Sequence, residues 1–283
     1  MSEPTDTSPI SYGAAQVAVV ACCFSMDPIV FKDRLVRLGE RLDVTMHGVV
    51  VANGSHVAIL NDPDWTLIHG TNDDLDFSGY AQGAEHWLKN KQNMPNVILF
   101  VNDSLFTSHS AIANLRATLR LILLLGDIRL PAIVGKADRY TTIVHQNPWS
   151  SLGIYVSTYC FALNARAIGR LLQLSNWANE DGLGHEVDIS DSNWGHGLSL
   201  QFREFLRANI YYQGSPYAWH SLDRNIENIQ LLRKKARCIY FEHRLSGEIA
   251  KDGCVLPTNA GPRAGFRLFL AEGTCRLYRR FLG

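Results

Sequence analysis

The sequence predicts an α/β fold in which a doubly wound, mostly parallel sheet carries helices on both faces. Short continuous apolar runs alternate with segments of helical periodicity, which is the element order of such folds. The runs contain almost no polar residues, as expected for parallel strands that are covered on both faces. Polar turn residues follow two of the runs directly and mark where those strands end.

The first half of the chain shows this alternation most clearly. Residues 16–24 (QVAVVACCF) predict a buried strand, and Asp27-Pro28 predicts the start of a helix. The β-branched run at 44–52 predicts a second strand. Four further elements are expected in order: a short strand at 65–69, a helix at 80–91, a strand at 97–101 and a helix at 112–123.

The second half is less regular. An acidic segment at 176–193 has the composition of a loop. We expect the other elements to be extended segments at 131–142 and 153–163, helices at 165–174 and 198–206, and an aromatic extended segment at 210–220.

The charge balance and the apolar runs narrow the class of protein. Lys plus Arg and Asp plus Glu both number 27, and this balance argues against nucleic-acid binding, which normally brings a basic excess. The first residues lack the basic and apolar regions of a signal peptide. The longest apolar run, 121–125, is far shorter than the roughly 20 residues of a membrane span. We therefore expect a cytoplasmic protein. Its six cysteines form no CxxC pair and are expected to be reduced thiols.

Two predicted parallel strands end in polar triplets, Asn53-Gly54-Ser55 and Asn102-Asp103-Ser104. Ligands of doubly wound sheets bind beyond the carboxyl ends of the strands, so we expect both triplets to face one crevice. The Asp103 carboxylate is a hard oxygen ligand of the kind that Mg²⁺ or Mn²⁺ prefers, and such a cation neutralises a bound diphosphate. The alternative is that Asp and Ser here only cap the next helix.

The sequence lacks the glycine-rich phosphate loops of dinucleotide-binding and P-loop proteins and has four other motifs along its length. The sequence has no GxGxxG after its first strand and no GxxxxGK[ST]. In order, it has VVVANGS at 49–55, GTNDDLDFSGYAQG at 70–83, FVNDS at 100–104 and SPYAWH at 215–220. This order resembles the GT-A type glycosyltransferases, especially the family-two-like enzymes and the rhamnan-synthesis-F type proteins of polysaccharide assembly. The resemblance covers about residues 16–220.

The resemblance implies a GT-A-like, Rossmann-like fold that transfers a sugar from a nucleotide-diphospho-sugar to a glycan or lipid-linked glycan acceptor in surface polysaccharide biosynthesis, with inversion. It implies a divalent metal, Mn²⁺ or Mg²⁺, held by Asp103 and by His220 of the late Pro-x-x-x-His motif. The donor contacts that it implies are Asn53, Asn72, Asp76, Gly79, Asn102, Asp103 and Ser104. Independently of the resemblance, Arg139 follows an apolar run and is a candidate phosphate contact, because arginine often clamps phosphates.

The sequence departs from the family pattern at several positions. Ala52 stands where many relatives carry a base-binding Asp, and Asn102 and Ser104 leave the triplet with one carboxylate, which leaves metal dependence open. The acidic base of the family is expected near 194–200, where the chain reads WGHGLSL. The candidates for this base are Asp188, Asp191, His196 and Glu186. The alternative is that these residues belong to a solvated acidic loop.

We expect three regions: a flexible segment at 1–15, the GT-A-like catalytic domain at 16–225, and a C-terminal helical extension at 226–283. The end of that extension, 263–283, mixes arginines with apolar residues and could lie on an anionic membrane, such as the inner face of the cell membrane. Two other functions remain open. A sugar nucleotidyltransferase would normally show a glycine-rich basic loop after the first strand. A non-catalytic scaffold with a transferase fold would explain the missing acids.

Overall fold

A computed structural model describes residues 15–54, 59–89, 94–107, 110–140, 143–211 and 227–259. Within these residues the strands are β1 (Ala15–Cys23), β2 (Val44–Ala52), β3 (Trp65–His69), β4 (Val97–Asn102), β5 (Ala132–Arg139), β6 (Ile154–Asn164) and β7 (Cys254–Pro257). The helices are α1 (Pro28–Glu40), α2 (Asp76–Lys89), α3 (Ser104–Thr107), α4 (Ala111–Asp127), α5 (Ile168–Glu180), α6 (Leu200–Tyr211) and α7 (Ile229–Ala250).

The strands form one sheet in the order β3-β2-β1-β4-β6-β5-β7. β1 pairs in parallel with both β2 and β4, β2 pairs in parallel with β3, and β5 pairs in parallel with β7. β6 runs antiparallel to both of its neighbours. The prediction of a mostly parallel α/β sheet is therefore confirmed. Strand order reverses between β1 and β4, and ligands of such sheets bind beside this switch point, outside the carboxyl ends of the strands.

Helices cover both faces of the sheet. Val20 and Cys22 of β1 pack into the core that α2, α5, α6 and α7 close, whereas Val19 and Ala21 face the core under α1 and α4. All four side chains are fully buried. Because alternate side chains of such a strand are buried on opposite faces of the sheet, every position must be apolar, which explains the continuous apolar runs of the sequence.

The local signals in the sequence identify the start of α1 correctly. The Asp27 carboxylate accepts hydrogen bonds from the backbone N–H groups of Ile29 (2.9 Å) and Val30 (3.0 Å). Pro28 occupies the first helical position, where the missing N–H costs no hydrogen bond. By contrast, α2 begins at Asp76, four residues before the predicted start at Tyr80.

The predicted extended segment at 210–220 is wrong where it is described. Ile210 and Tyr211 are the last residues of α6, because Ile210 continues the apolar face of that helix and is fully buried. The rest of the segment, including Pro216 and His220, lies outside the described residues.

The boundary predicted at residues 225/226 does not separate two units within the described chain. α7 packs against β6 and α5, and β7 adds to the sheet beside β5. The sequence analysis did not identify β7, because a strand of four residues is too short to show a clear pattern. The segments 1–14 and 263–283, with the predicted membrane contact, lie outside the described residues. None of the described helices combines the length and hydropathy that crossing a membrane requires.

Gly83 lets α2 approach the sheet closely. A Cβ atom at this position would lie 2.3 Å from Cγ1 of the fully buried Val20. We expect Gly83→Ala to lower the free energy of unfolding by about 1–3 kcal/mol, since overpacking outweighs the better helix propensity of alanine. Gly169→Ala in α5 is the matched control, because a Cβ there meets no atom within 4 Å. It should be neutral or stabilising in urea unfolding. Equal effects of the two substitutions would contradict this packing role.

Candidate functional site

The triplet at the end of β4 lies at the switch point of the sheet and contacts the start of α2. Asn102 ends β4, Asp103 forms the turn and Ser104 begins α3. Asn102 Nδ2 donates to Asp76 Oδ2 (2.8 Å), and Asn102 Oδ1 accepts the Ser104 hydroxyl. Asn102 and Asp103 are buried, with 7% and 6% of their surface exposed. The structure thus brings together four of the residues that the sequence assigned to the donor site.

One oxygen of Asp103 is fully occupied by the turn between β1 and α1. Its Oδ2 accepts from the backbone N–H groups of Phe24 (3.1 Å), Ser25 (2.7 Å) and Met26 (2.9 Å). The Ser25 hydroxyl donates to the same oxygen at 2.8 Å. With Oδ2 taken, Asp103 can reach a cation or a ligand only through Oδ1.

Asn53 and Gly79 contact protein groups where the sequence predicted donor contacts. Asn53 is 4% exposed, and its Nδ2 donates to the Leu75 carbonyl (2.6 Å) and to Cys22 Sγ (3.4 Å). A Cβ at Gly79 would lie 2.4 Å from Cys22 Sγ. Asn53 therefore anchors the loop before α2, and Gly79 permits that helix to pack on β1. The Asn53 Oδ1 atom has no hydrogen-bond partner within the described chain.

Asn72 and Arg139, two further predicted donor contacts, lie away from the triplet in the loop before α2 and at the end of β5. Asn72 adopts a left-handed backbone with φ of 56°, and its carbonyl accepts from Lys234 Nζ of α7 at 2.5 Å. Arg139 is exposed at the end of β5. Ser55 and His220 are not among the described residues.

The three predicted catalytic residues lie exposed in the loop between α5 and α6. The Asp188 carboxylate accepts from the backbone N–H and the hydroxyl of Ser190, and Asp191 Oδ1 accepts from the Asn193 N–H at 2.7 Å. Such bonds to the backbone two residues on are typical of turns. His196 packs over Gly182, a glycine with φ of 80°. These contacts favour the solvated acidic loop that the sequence left open.

Sequence reasoning missed the polar groups that α7 contributes to this edge. Lys235, Cys238 and Glu242 follow one another at intervals of three and four residues, so they share one side of the helix. Glu242 Oε1 accepts from the backbone N–H (2.8 Å) and hydroxyl (3.2 Å) of Thr158 in β6. The helical period of 229–250 could have shown which residues share this side, but not that the side packs against Asp74 and Thr158.

A buried ion pair fixes α7 to the loop before α2. Arg237 is 1% exposed, and its Nε and Nη2 donate to Asp74 Oδ1 (2.5 Å) and Oδ2 (3.0 Å). The guanidinium also donates to Ser175 Oγ, Asn179 Oδ1 and the Leu183 carbonyl. All five of its N–H groups are therefore used. The pair positions Asp76, which lies two residues after Asp74.

Two carboxyl groups of this region titrate near neutral pH. Burial raises the pKa of Asp76 to about 6, against the opposing effects of Lys235 and the Asn102 hydrogen bond. Burial likewise raises the pKa of Glu242 to about 7, against the hydrogen bonds from Thr158. Both residues keep part of their surface accessible. Burial raises the pKa of the Cys22 thiol well above its usual range, so this thiol stays protonated.

The described residues around the triplet do not add a cluster of metal ligands to Asp103. Among the described residues, no group of three or more His, Cys, Asp or Glu side chains is arranged to hold a cation. The triplet offers one available carboxylate oxygen, Asp103 Oδ1. These residues do not make up a cation site by themselves.

No family model matches the sequence, and no curated protein or solved structure is significantly similar to it. The resemblance to GT-A glycosyltransferases therefore rests on the four motifs alone.

We expect Asp103→Asn to lower stability even without a ligand. The substitution removes the negative charge to which four donors bond. It also replaces one carboxylate oxygen with an NH₂ group, which cannot accept a hydrogen bond. Charged hydrogen bonds contribute about 1.5–3 kcal/mol, and we expect a loss of that order in urea unfolding. Asp73→Asn, at an exposed position in the neighbouring loop, should change stability by less than about 0.5 kcal/mol. Indistinguishable effects would show that the Asp103 contacts contribute nothing.

The raised pKa of Asp76 predicts a pH-dependent effect of Asp76→Asn. The folded-state pKa of about 6 exceeds the ordinary value of 3.8, so the folded protein holds this proton more tightly than the unfolded chain. The charged form therefore costs stability above pH 6, and the cost disappears below about pH 4. Asp76→Asn should stabilise the protein at pH 8, on the order of 1–3 kcal/mol, and approach zero effect at pH 4. A difference that stays constant across urea unfolding at pH 4, 6 and 8 would refute this.

Proposed function

We propose that this protein is a GT-A type glycosyltransferase that moves a sugar from a nucleotide-diphospho-sugar to a glycan or lipid-linked glycan acceptor. One observation carries the proposal. Asn102, Asp103 and Ser104 lie at the switch point of a mostly parallel sheet, in contact with Asp76 of another motif. Ligands of doubly wound sheets bind at this place, and these residues also carry the family resemblance.

The reaction would be a single displacement, with inversion implied by the resemblance. The acceptor oxygen attacks the anomeric carbon, the bond from that carbon to the phosphate oxygen breaks, and the nucleoside diphosphate leaves with the electron pair. The proton of the acceptor hydroxyl passes to a carboxylate. Ser104 and Asn102 would contact the donor at the triplet, and Lys235 of α7 supplies positive charge that acts on the neighbouring Asp76.

A divalent cation would bind the donor diphosphate through Asp103 Oδ1, with further ligands from the diphosphate itself. Because the carboxylate is already held through Oδ2, such a cation would meet an oriented ligand. Mn²⁺ or Mg²⁺ suits an oxygen ligand set of this kind.

The sugar nucleotidyltransferase alternative is less well supported. A phosphate loop after the first strand would present backbone N–H groups to its ligand. Here the N–H groups of Phe24, Ser25 and Met26 donate to Asp103, and those of Ile29 and Val30 donate to Asp27. The scaffold alternative has one observation in its favour, since the triplet and Asp76 already satisfy one another.

Thermal denaturation with UDP-, GDP-, dTDP- and CMP-sugars, with and without Mn²⁺, tests the proposal. We expect one nucleotide class to raise the Tm, because a ligand at 100 times its Kd stabilises the folded state by about 2.7 kcal/mol. Ser104→Ala should weaken that shift. Ser190→Ala, which removes a hydroxyl that contacts Asp188 in the α5–α6 loop, is the matched control and should leave the shift unchanged.

The products separate the alternatives. Release of nucleoside diphosphate that depends on an added glycan acceptor supports transfer. Turnover of a sugar 1-phosphate with a nucleoside triphosphate would indicate a nucleotidyltransferase, and binding without turnover would indicate a scaffold. If no nucleotide-sugar shifts the Tm, the proposed function is wrong.

A further inference from the structure

Glu242 lies on α7 at the level where the triplet ends β4. The pairing of β4 with β6 ends at Val101 and Cys160. Asp103 follows Val101 by two residues and Thr158 precedes Cys160 by two, so the antiparallel register places them at the same level. Glu242 Oε1 accepts both hydrogen bonds that Thr158 offers, from its N–H and from its hydroxyl. The carboxylate is therefore held at the carboxyl edge of the sheet, beside the proposed donor site.

The two oxygens of Glu242 differ in what they contact. Oε1 takes the two bonds from Thr158 at 2.8 and 3.2 Å, whereas Oε2 takes no hydrogen bond within the part of the chain that the structure describes. A carboxylate that is oriented through one oxygen and available through the other is arranged for proton transfer, because its geometry is set before a substrate arrives.

Burial, the hydrogen bonds from Thr158 and two charged residues of β5 set the pKa of Glu242. On β5, Asp138 raises its pKa and Lys136 lowers it, and these two side chains pair at 3.2 Å. On α7, Lys235 and Cys238 precede it on the same side of the helix. Burial is the largest influence and brings its pKa to about 7. A base with a pKa close to the working pH is the most effective proton acceptor.

We propose that Glu242 is the general base of the transfer reaction, in place of Asp188, Asp191 or His196. This inference rests on the proposed function. As the acceptor oxygen bonds to the anomeric carbon, its proton passes to Glu242 Oε2 and the nucleoside diphosphate departs with the electron pair of the broken bond. The protonated Glu242 then returns the proton to solvent. Asp188 and Asp191 are committed to local turns, and neither shares the anchored geometry of Glu242.

Glu242→Gln should separate chemistry from binding. The amide oxygen can still accept from Thr158, so we expect the nucleotide-sugar to raise the Tm as in the wild type. Transfer to a glycan acceptor should fall at least about 100-fold, the lower range for loss of a general base. Glu180→Gln, at an exposed position at the end of α5, is the matched control and should transfer at the wild-type rate.

The pH dependence of transfer adds a readout that a structural role would not move. In a plot of transfer rate against pH, the wild-type rate should rise with an apparent pKa near 7, and this rising limb should be absent from Glu242→Gln. Asp138→Asn should move the limb to lower pH and Lys136→Gln to higher pH, because Asp138 raises and Lys136 lowers the pKa of Glu242. Opposite shifts from these two substitutions would place the group that titrates in the reaction beside Asp138 and Lys136, where Glu242 lies.

The outcomes distinguish this inference from the proposed function. A Glu242→Gln protein that folds, binds donor and transfers at a near wild-type rate overturns the role of Glu242 and leaves the glycosyltransferase proposal intact. A wild-type protein that neither binds nucleotide-sugars nor transfers overturns both. If Glu242→Gln does not fold, the pH–rate profiles of Asp138→Asn and Lys136→Gln test the inference instead. Shifts in the expected directions support the role of Glu242, and a rising limb that moves in neither variant overturns it.

Discussion

The buried ion pair between Arg237 and Asp74 is the interaction on which the arrangement of this edge depends. It joins α7 to the loop before α2 and, through Ser175, Asn179 and the Leu183 carbonyl, to α5 and the loop that follows it. Every N–H group of the guanidinium has an acceptor, so the desolvation of the charge is compensated. Removing one partner of such a pair typically costs about 3–5 kcal/mol, because the other charge stays buried and unpaired. Three separate segments of the chain are thereby held in one geometry.

That geometry determines what the carboxyl edge of the sheet can present to a ligand. Asp76 follows Asp74 by two residues and accepts a hydrogen bond from Asn102. Glu242 follows Arg237 on α7 and accepts hydrogen bonds from Thr158. Asp103 is held in the same manner, by backbone N–H groups of the β1–α1 turn. Each acid is thus oriented by contacts with other groups of the protein.

The arrangement also bears on the acids that the triplet lacks. Asn102 and Ser104 leave Asp103 as its one carboxylate, yet the fold adds the Asp76 carboxylate from α2 and that of Glu242 from α7. Burial gives these two added groups raised pKa values, about 6 and about 7, which suit proton transfer better than permanent metal binding.

The sequence alone determined the elements whose signals are local. The strands at 44–52 and 65–69 have the predicted bounds, because their β-branched and aromatic residues favour strands, and Asp27-Pro28 marks the start of α1 by its own capping chemistry. Only the tertiary structure decided that α7 and β7 complete the sheet domain, that Gly79 serves packing, and that Glu242 bonds to Thr158 of β6. Thr158 and Glu242 are 84 residues apart, and Asp74 and Arg237 are 163 apart. Side chains so distant in the chain meet through the packing of whole elements, and no periodicity or spacing within a segment encodes which elements will pack together.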